Sequence, residues 1–152
     1  MIERSGDLFA AGSGTFAVCI PTNGEVSRGR AVMGAGLALE AKRIVPGIDK
    51  LLGRRLTEEG NHVFFLTSAG LPFNLVSFPT KDRWREPSSL ALIERSAREL
   101  RTLVEAKLPP ASSLSVALPR VGCGLGGLRW SVVAPILLRE LPGSRYVILH
   151  KE

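Results

Sequence analysis

Two glycine clusters and one isolated lysine carry most of the chemistry this sequence offers. From Val116 to Trp130 the chain reads VALPRVGCGLGGLRW, with glycines at 122, 124, 126 and 127. Glycine takes positive φ without penalty and lets backbone N–H groups approach a ligand with no Cβ in the way. A run of free N–H groups leading into a helix N-terminus favours a bound anion, usually phosphate. The spacing is neither G-x-G-x-x-G nor a Walker loop, because no Lys-Ser/Thr follows it. A tight turn needs one or two glycines, so four in six positions make a ligand loop the expectation. Met33-Gly34-Ala35-Gly36 is the second cluster, and it too opens onto a helical stretch, LALEAKRIV.

The single polar residues divide between chemistry and structure. A lone lysine after a strand is ordinarily a solvated charge, but Lys81 follows Pro79-Thr80 at a strand exit that the proline stiffens, and Trp84 lies three residues on. Asn23, in the turn Pro21-Thr22-Asn23-Gly24, is placed to face a cleft at the end of an apolar strand. Asp7, just after Gly6, can cap a backbone or reach a ligand amine, and capping is the simpler reading for an isolated residue. Cys123 lies inside the glycine loop with no histidine near it in sequence, so a small inert thiol is expected rather than a nucleophile. His62, at the start of a strand, is read as structural.

These residues need a scaffold, and the apolar patterning supplies one. After an extended start at Ile2, strands are expected at Thr15 to Ile20, His62 to Thr67, Phe73 to Phe78, Leu114 to Leu118 and Tyr146 to Leu149. Ala69-Gly70-Leu71-Pro72 suggests a hairpin-like link between the second and third of these. Helices are expected from Leu37, with Leu37, Leu39 and Ile44 near one face, from Ile48 to Leu56, and from Ser131 to Leu141. The longest helix starts at a Ser88 or Ser89 cap and runs to Lys107 with Leu90, Ile93, Ala97, Leu100 and Val104 as its stripe. Glu25 to Ala31 reads as a polar loop. Strands alternating with helices give an α/β layered fold with helices on both faces. Ligands in such folds sit outside the carboxyl ends of the strands, where Asn23, both glycine loops and Lys81 fall.

Composition narrows the classes further. With 152 residues, 45% hydrophobic and 22% charged, the chain suits one globular domain over residues 1–152. Its apolar runs are too short to span a membrane, and no apolar leader follows the acidic Glu3 and Asp7. Two cysteines are too few for a disulfide framework, so Cys19 and Cys123 are expected as free thiols in a cytoplasmic protein. The net charge of +6 favours polyanionic partners, nucleic acid or a phosphate-bearing ligand.

Taken in order, Gly6-Asp7-Leu8, Thr22-Asn23, Met33-Gly34-Ala35-Gly36 and Pro119-Arg120-Val121-Gly122-Cys123-Gly124-Leu125 resemble a macrodomain, the ADP-ribose-binding fold, over nearly the whole chain. Phe78-Pro79-Thr80-Lys81 with Trp84-Arg85, then the glycine loop and Leu128-x-Trp130, is similar to two related hydrolase groups. One is the terminal ADP-ribose protein glycohydrolases. The other is the antitoxin macrodomains that remove ADP-ribose from thymidine in DNA. The resemblance implies a three-layer α/β/α fold with a central mixed sheet. Asp7 would bind the adenine amine, and the loops at Gly34–Gly36 and Gly122–Gly127 would cradle the diphosphate. Asn23 would approach the distal ribose and assist Lys81, the catalytic residue. Leu8, Thr22, Met33, Ala35, Pro79, Thr80, Pro119, Val121, Cys123, Leu125 and Gly126 would complete the ligand site. The protein-acting group carries Asp directly after Gly-Cys-Gly-Leu, where this chain has Gly126, and that departure pulls the reading towards the DNA-acting group.

Cleavage at the ribose anomeric carbon develops oxocarbenium character and needs a proton donor for the leaving group. Amines in a desolvated cleft release their proton more readily, and Lys81 would then act as acid–base or attack the opened sugar as a nucleophile. No metal or cofactor is required. The expectation is an ADP-ribosyl glycohydrolase acting as a monomer on ADP-ribosylated DNA, or on Glu/Asp-linked ADP-ribose in protein. A non-enzymatic ADP-ribose reader and an ADP-ribose 1″-phosphate phosphatase remain as alternatives.

Overall fold

Successive side chains of a strand point to opposite faces, so a strand apolar at every position must be covered twice. Several strands here are of that kind. In the computed structural model, which describes residues 1–151, the order is β1 (Ile2–Ser5), a 3-10 turn (Leu8–Ala10), β2 (Thr15–Thr22), β3 (Val26–Ser27), β4 (Arg30–Ala31), α1 (Gly36–Ile44) and α2 (Ile48–Glu59). There follow β5 (Phe64–Thr67), β6 (Asn74–Pro79), α3 (Leu90–Lys107), β7 (Ser115–Leu118), α4 (Trp130–Glu140) and β8 (Tyr146–His150). Six strands form one sheet in the order β1-β8-β7-β2-β6-β5. Neighbours run parallel except β5, which pairs antiparallel with β6 through the expected hairpin. The sheet is therefore mixed, with helices on both faces.

Alternation sorts the two cores. Ala17, Cys19, Val76, Phe78, Val116 and Leu118 pack with Ile93, Ala97, Leu100, Val104, Val133 and Leu137 of α3 and α4. Val18, Ile20, Leu75 and Ala117 face the other way, towards Ala41, Ile48, Leu52 and Leu56 of α1 and α2. Ser89 is the cap of α3, its Oγ accepting from the Leu92 N–H at 3.2 Å. The stripe from Ile93 to Val104 is fully buried, as its spacing requires.

Three local expectations change. The segment Glu25 to Ala31 is a small antiparallel ribbon, with Val26 opposite Ala31 and Ser27 opposite Arg30. Arg28 and Gly29 have φ of 53° and 78°, the positive pair of a tight hairpin turn. Two-residue strands are too short to show alternation. In α1, Ala41 and Val45 enter the core while Ile44 stays 40% exposed, because a small residue at the contact lets the helix lie close to the sheet. Finally, β5 begins at Phe64 rather than His62. His62 Nδ1 (2.8 Å) and the Val63 N–H (3.0 Å) are held by the Glu99 carboxylate of α3 instead.

Candidate functional site

The site is built at the carboxyl ends of β6, β2 and β7, which are adjacent and parallel. Pro21 and Thr22 continue β2 rather than turning, and Thr22 pairs with Pro79. Asn23 and Thr80 therefore leave the sheet side by side. The Thr80 N–H adds one more bond, to the Thr22 carbonyl at 3.0 Å, and Ser96 Oγ of α3 donates to the Pro79 carbonyl at 2.7 Å. Lys81 thus starts from a strand end fixed on both sides.

The turn after it is equally constrained. Lys81 Nζ donates to the Trp84 carbonyl at 3.0 Å, which uses one of its donors and folds the amine over the turn. Asn61 Nδ2 donates to the Lys81 carbonyl (3.2 Å) and to Asp82 Oδ1 (3.0 Å), while the Gly24 N–H donates to the Asp82 carbonyl at 2.9 Å. Asn23 is committed in a comparable way. Its Oδ1 accepts the Glu25 N–H at 2.9 Å, and its Nδ2 donates to the Val32 carbonyl at 3.0 Å. The amide ties both ends of the ribbon to the strand exit and keeps one N–H and one lone pair for a ligand.

The glycine loop closes the other side. Leu128 N–H donates to the Gly122 carbonyl (2.9 Å), Gly127 N–H to Gly124 (3.2 Å), and Ser88 N–H to Gly126 (3.0 Å). That last bond joins the loop to the segment carrying Lys81. Gly122 and Gly127 have φ of 76° and 78°. A Cβ on Gly126 would lie 2.1 Å from Ser88 Oγ and 2.6 Å from the Gly122 carbonyl. At Gly124 a Cβ would meet nothing within 4 Å, and Leu125 beside it is 78% exposed. Three glycines are thus demanded by the loop itself, and Gly124 alone is left unexplained by packing. The side-chain hydroxyls of Thr22 and Ser88, buried at this end of the sheet, have no hydrogen-bond partner among the described residues.

Arg120 clamps the loop's entry to the first strand. Its Nε and Nη2 donate to Glu3 at 2.8 and 2.6 Å, and its guanidinium lies 5.4 Å from the Trp130 ring centroid. Those hydrogen bonds hold the Glu3 carboxyl below the usual carboxylate range. Burial raises the Cys123 thiol pKa, and its Sγ donates to the Val121 carbonyl at 3.4 Å, so it is no ready thiolate.

Of the other expected positions, Leu8, Met33 and Val121 are core side chains, able to offer only backbone to a ligand. Pro79, Thr80, Pro119 and Gly122 are also buried. Gly34, Ala35 and Gly36 are exposed at the start of α1, where Ala35 provides no side-chain cap. The first N–H groups of that helix therefore receive no bond from an N-cap side chain. Asp7 caps the 3-10 turn, Oδ1 accepting from the Phe9 N–H at 3.0 Å, with Lys151 Nζ 3.7 Å from Oδ2. Two hollows of about 520 and 580 Å³ lie elsewhere, one against Ser112–Ser115 and Gly143–Tyr146, the other between His62–Phe64 and Glu99.

No protein-family model matches the chain. Solved structures do. The macrodomain of Mycobacterium tuberculosis DarG superposes with a TM-score of 0.76 at 29% identity, covering 99% of this chain and 97% of that one. The chain belongs to the macrodomains, in their DarG branch. Thermosipho africanus DarTG in complex with ADP-ribose matches at a TM-score of 0.72 and 25% identity, over 95% of this chain and 40% of the other. In sequence, the macrodomain is 30% identical to a Thermosipho africanus DNA ADP-ribosyl transferase–DNA ADP-ribosyl glycohydrolase fusion protein, over 96% of the chain. It spans 41% of that relative's length.

Four residues that hold this macrodomain's site together have no site role in the sequence. Asn61 is not singled out there, Ser88 is only a cap candidate, Arg120 only a member of the glycine-loop motif and Glu3 only an acidic residue near the start. Each acts through a partner far away in the chain. Among the described residues no group of three or more His, Cys, Asp or Glu side chains is clustered to hold a metal, and no helix is long and apolar enough to cross a membrane.

Proposed function

We propose that the chain is a DNA ADP-ribosyl glycohydrolase that frees ADP-ribose from a modified base, thymidine by resemblance, with Lys81 as the catalytic residue. The observation that carries this reading is the pairing of Thr22 with Pro79. It sets Asn23 and Lys81 on adjacent strand ends, hydrogen-bonded through Ser88 and Ser89 to a loop whose exposed Gly124 leaves backbone free for a diphosphate. The uncapped start of α1 offers a second set of N–H groups to the same anion. Asp7 is the group for the adenine amine, and Asn23, with its spare N–H, the group for the distal ribose.

In this site the diphosphate loops hold the ligand while the anomeric carbon lies towards Lys81. As the ammonium, Lys81 gives a proton to the departing base while the oxocarbenium ion develops, and water then adds to the anomeric carbon. As the free amine, it adds to that carbon of the opened sugar, the base leaves with a proton, and water hydrolyses the resulting imine to free ADP-ribose. In either route Nζ is the acting atom. The DNA rather than the protein linkage is favoured at Gly126. Ser88 Oγ fills the space a side chain would need there, so the loop carries no carboxylate to pair with Lys81. The solved relative holding ADP-ribose, and the activity named for the fusion relative, both support this reading.

The test compares release of free ADP-ribose from ADP-ribosylated single-stranded DNA and from ADP-ribosylated protein. The expected result is turnover on DNA that Lys81→Ala lowers by roughly a hundred- to ten-thousand-fold, with affinity for free ADP-ribose kept within about an order of magnitude. Lys81→Arg should not rescue it, since guanidinium keeps its proton near neutral pH. Full activity in Lys81→Ala would make Lys81 an incidental solvated charge and move the chemistry to other groups in the cleft. A wild type that binds ADP-ribose but releases none from either substrate would instead be a reader module.

A further inference from the structure

The turn that carries Lys81 also presents groups that cleavage of the glycosidic bond does not use. Residues 81–85 read Lys-Asp-Arg-Trp-Arg. Trp84, among the largest apolar side chains in the molecule, is 46% exposed rather than spent on the core. The Arg85 guanidinium lies 4.8 Å from its ring centroid, a cation held against the aromatic face. The one acid of the turn, Asp82, has its carboxylate occupied by Asn61 at 3.0 Å. Neither Arg83 nor Arg85 has a carboxylate partner among the described residues.

This presentation is rigid. The turn is fixed by the Glu86 N–H to Arg83 carbonyl bond (3.1 Å), by Lys81 Nζ on the Trp84 carbonyl (3.0 Å), and by Asn61 and Gly24 beneath it. Ser88 then ties the segment to the glycine loop. An aromatic plane and two unpaired guanidiniums, fixed beside a site for a nucleotide diphosphate, match a partner with flat rings and regular negative charge. Single-stranded nucleic acid has both, and stacking on an exposed aromatic is tolerant of sequence. A folded protein surface offers neither in regular array.

We infer that Trp84, with Arg83 and Arg85, is a docking platform for the single-stranded DNA that flanks the modified nucleotide. An unmodified base stacks on the indole, and neighbouring phosphates take the guanidiniums. The platform positions the strand so that the ADP-ribosyl group enters the cleft, with Lys81 on the same turn. This rests on the DNA reading above, but its own contacts are with nucleotides that carry no ADP-ribose.

The experiment therefore uses a fluorophore-labelled, unmodified oligothymidylate and follows binding by anisotropy at several salt concentrations. Trp84→Ala should weaken binding by roughly five- to a hundredfold, the range for losing one base stack, and Trp84→Phe should retain most of it. The double change Arg83→Ala, Arg85→Ala should flatten the slope of log K against log salt by up to about 0.7 for each phosphate that is no longer neutralised. Free ADP-ribose, measured by calorimetry, should bind all variants as it binds the wild type, which also reports that they fold. On ADP-ribosylated single-stranded DNA, Trp84→Ala should raise KM and leave kcat unchanged. Oligonucleotide affinity and KM unmoved by Trp84→Ala would overturn the platform, leaving an ordinary solvated basic turn. Equal loss of free ADP-ribose binding would overturn it too, by making Trp84 a wall of the cleft. If the wild type releases nothing from DNA while oligonucleotide binding still depends on Trp84, the glycohydrolase reading fails and the platform stands.

Discussion

At the scale of single residues, the glycine loop divides into parts that hold the fold and one part free for a ligand. Gly122 and Gly127 are required by their positive φ, and Gly126 by Ser88 Oγ 2.1 Å from where its Cβ would be. Gly124 meets no neighbour and needs no unusual backbone. Gly124→Val should therefore leave thermal stability nearly unchanged and remove the stabilisation by added ADP-ribose, read as a thermal shift across ligand concentrations. An undiminished shift would make the loop a purely structural turn. Gly126→Asp behaves differently. It should destabilise the apo protein by about 1–3 kcal/mol, the usual range for overpacking, and lose turnover on DNA without gaining it on protein. Pairing it with Ser88→Gly should recover part of the stability. Activity on glutamate-linked ADP-ribose appearing in Gly126→Asp would reverse the substrate assignment.

Among the elements, the small ribbon of β3 and β4 matters more than its size suggests. It leans on α2 at Gly53, where a Cβ would fall 2.4 Å from the Gly29 carbonyl and 2.9 Å from the Ala31 nitrogen. Asn23 grips the chain at both ends of the ribbon, at Glu25 and Val32. Alanine is the better helix former by about 1 kcal/mol, so Gly53→Ala would stabilise an isolated α2. In the protein it should instead cost about 1–3 kcal/mol and lower turnover, because the displaced ribbon carries the Asn23 partners with it. Urea unfolding beside activity on ADP-ribosylated DNA checks this. A more stable, fully active Gly53→Ala would show that the ribbon yields freely and that Asn23 is positioned by the strand alone.

Across the whole molecule, the core facing α3 and α4 stores a pH dependence. Burial pushes the Tyr146 hydroxyl up to about 12, with Glu105 adding to the effect. In the unfolded chain tyrosine titrates near 10. The folded state keeps this proton longer, so the stability it contributes is complete below about pH 10 and is lost as pH rises towards 12. Cys19, buried in the same core, has its thiol pushed up by burial and acts with the same sign, starting from about pH 8.5. Tyr146→Phe should flatten the fall of the urea midpoint above pH 10 while leaving the slope between about 8.5 and 10 to the raised thiols of Cys19 and Cys123. A slope unchanged in Tyr146→Phe would place the alkaline loss elsewhere.

The fold was legible in the chain because its signals are local. Apolar runs, the Ser89 cap, the stripe from Ile93 to Val104 and the Pro-Gly breaks each act within a few residues, so strand and helix order followed from them. The glycine clusters, Asn23 and Lys81 could be named for the same reason, as residue types at strand ends. How they are held was decided only in three dimensions. Asn61 braces Lys81 from 20 residues away, and Arg120 reaches Glu3 from 117 away. Local sequence also misled where a contact, not a pattern, set the outcome. Ile44, placed near the apolar face of α1, stays exposed because Ala41 brings the helix to the sheet, and the run of glycines gives no sign that Ser88 fills the space beside Gly126. Propensity and periodicity are properties of neighbours along the chain. The space beside a given Cα, and the partner that fills it, exist only once distant segments have packed.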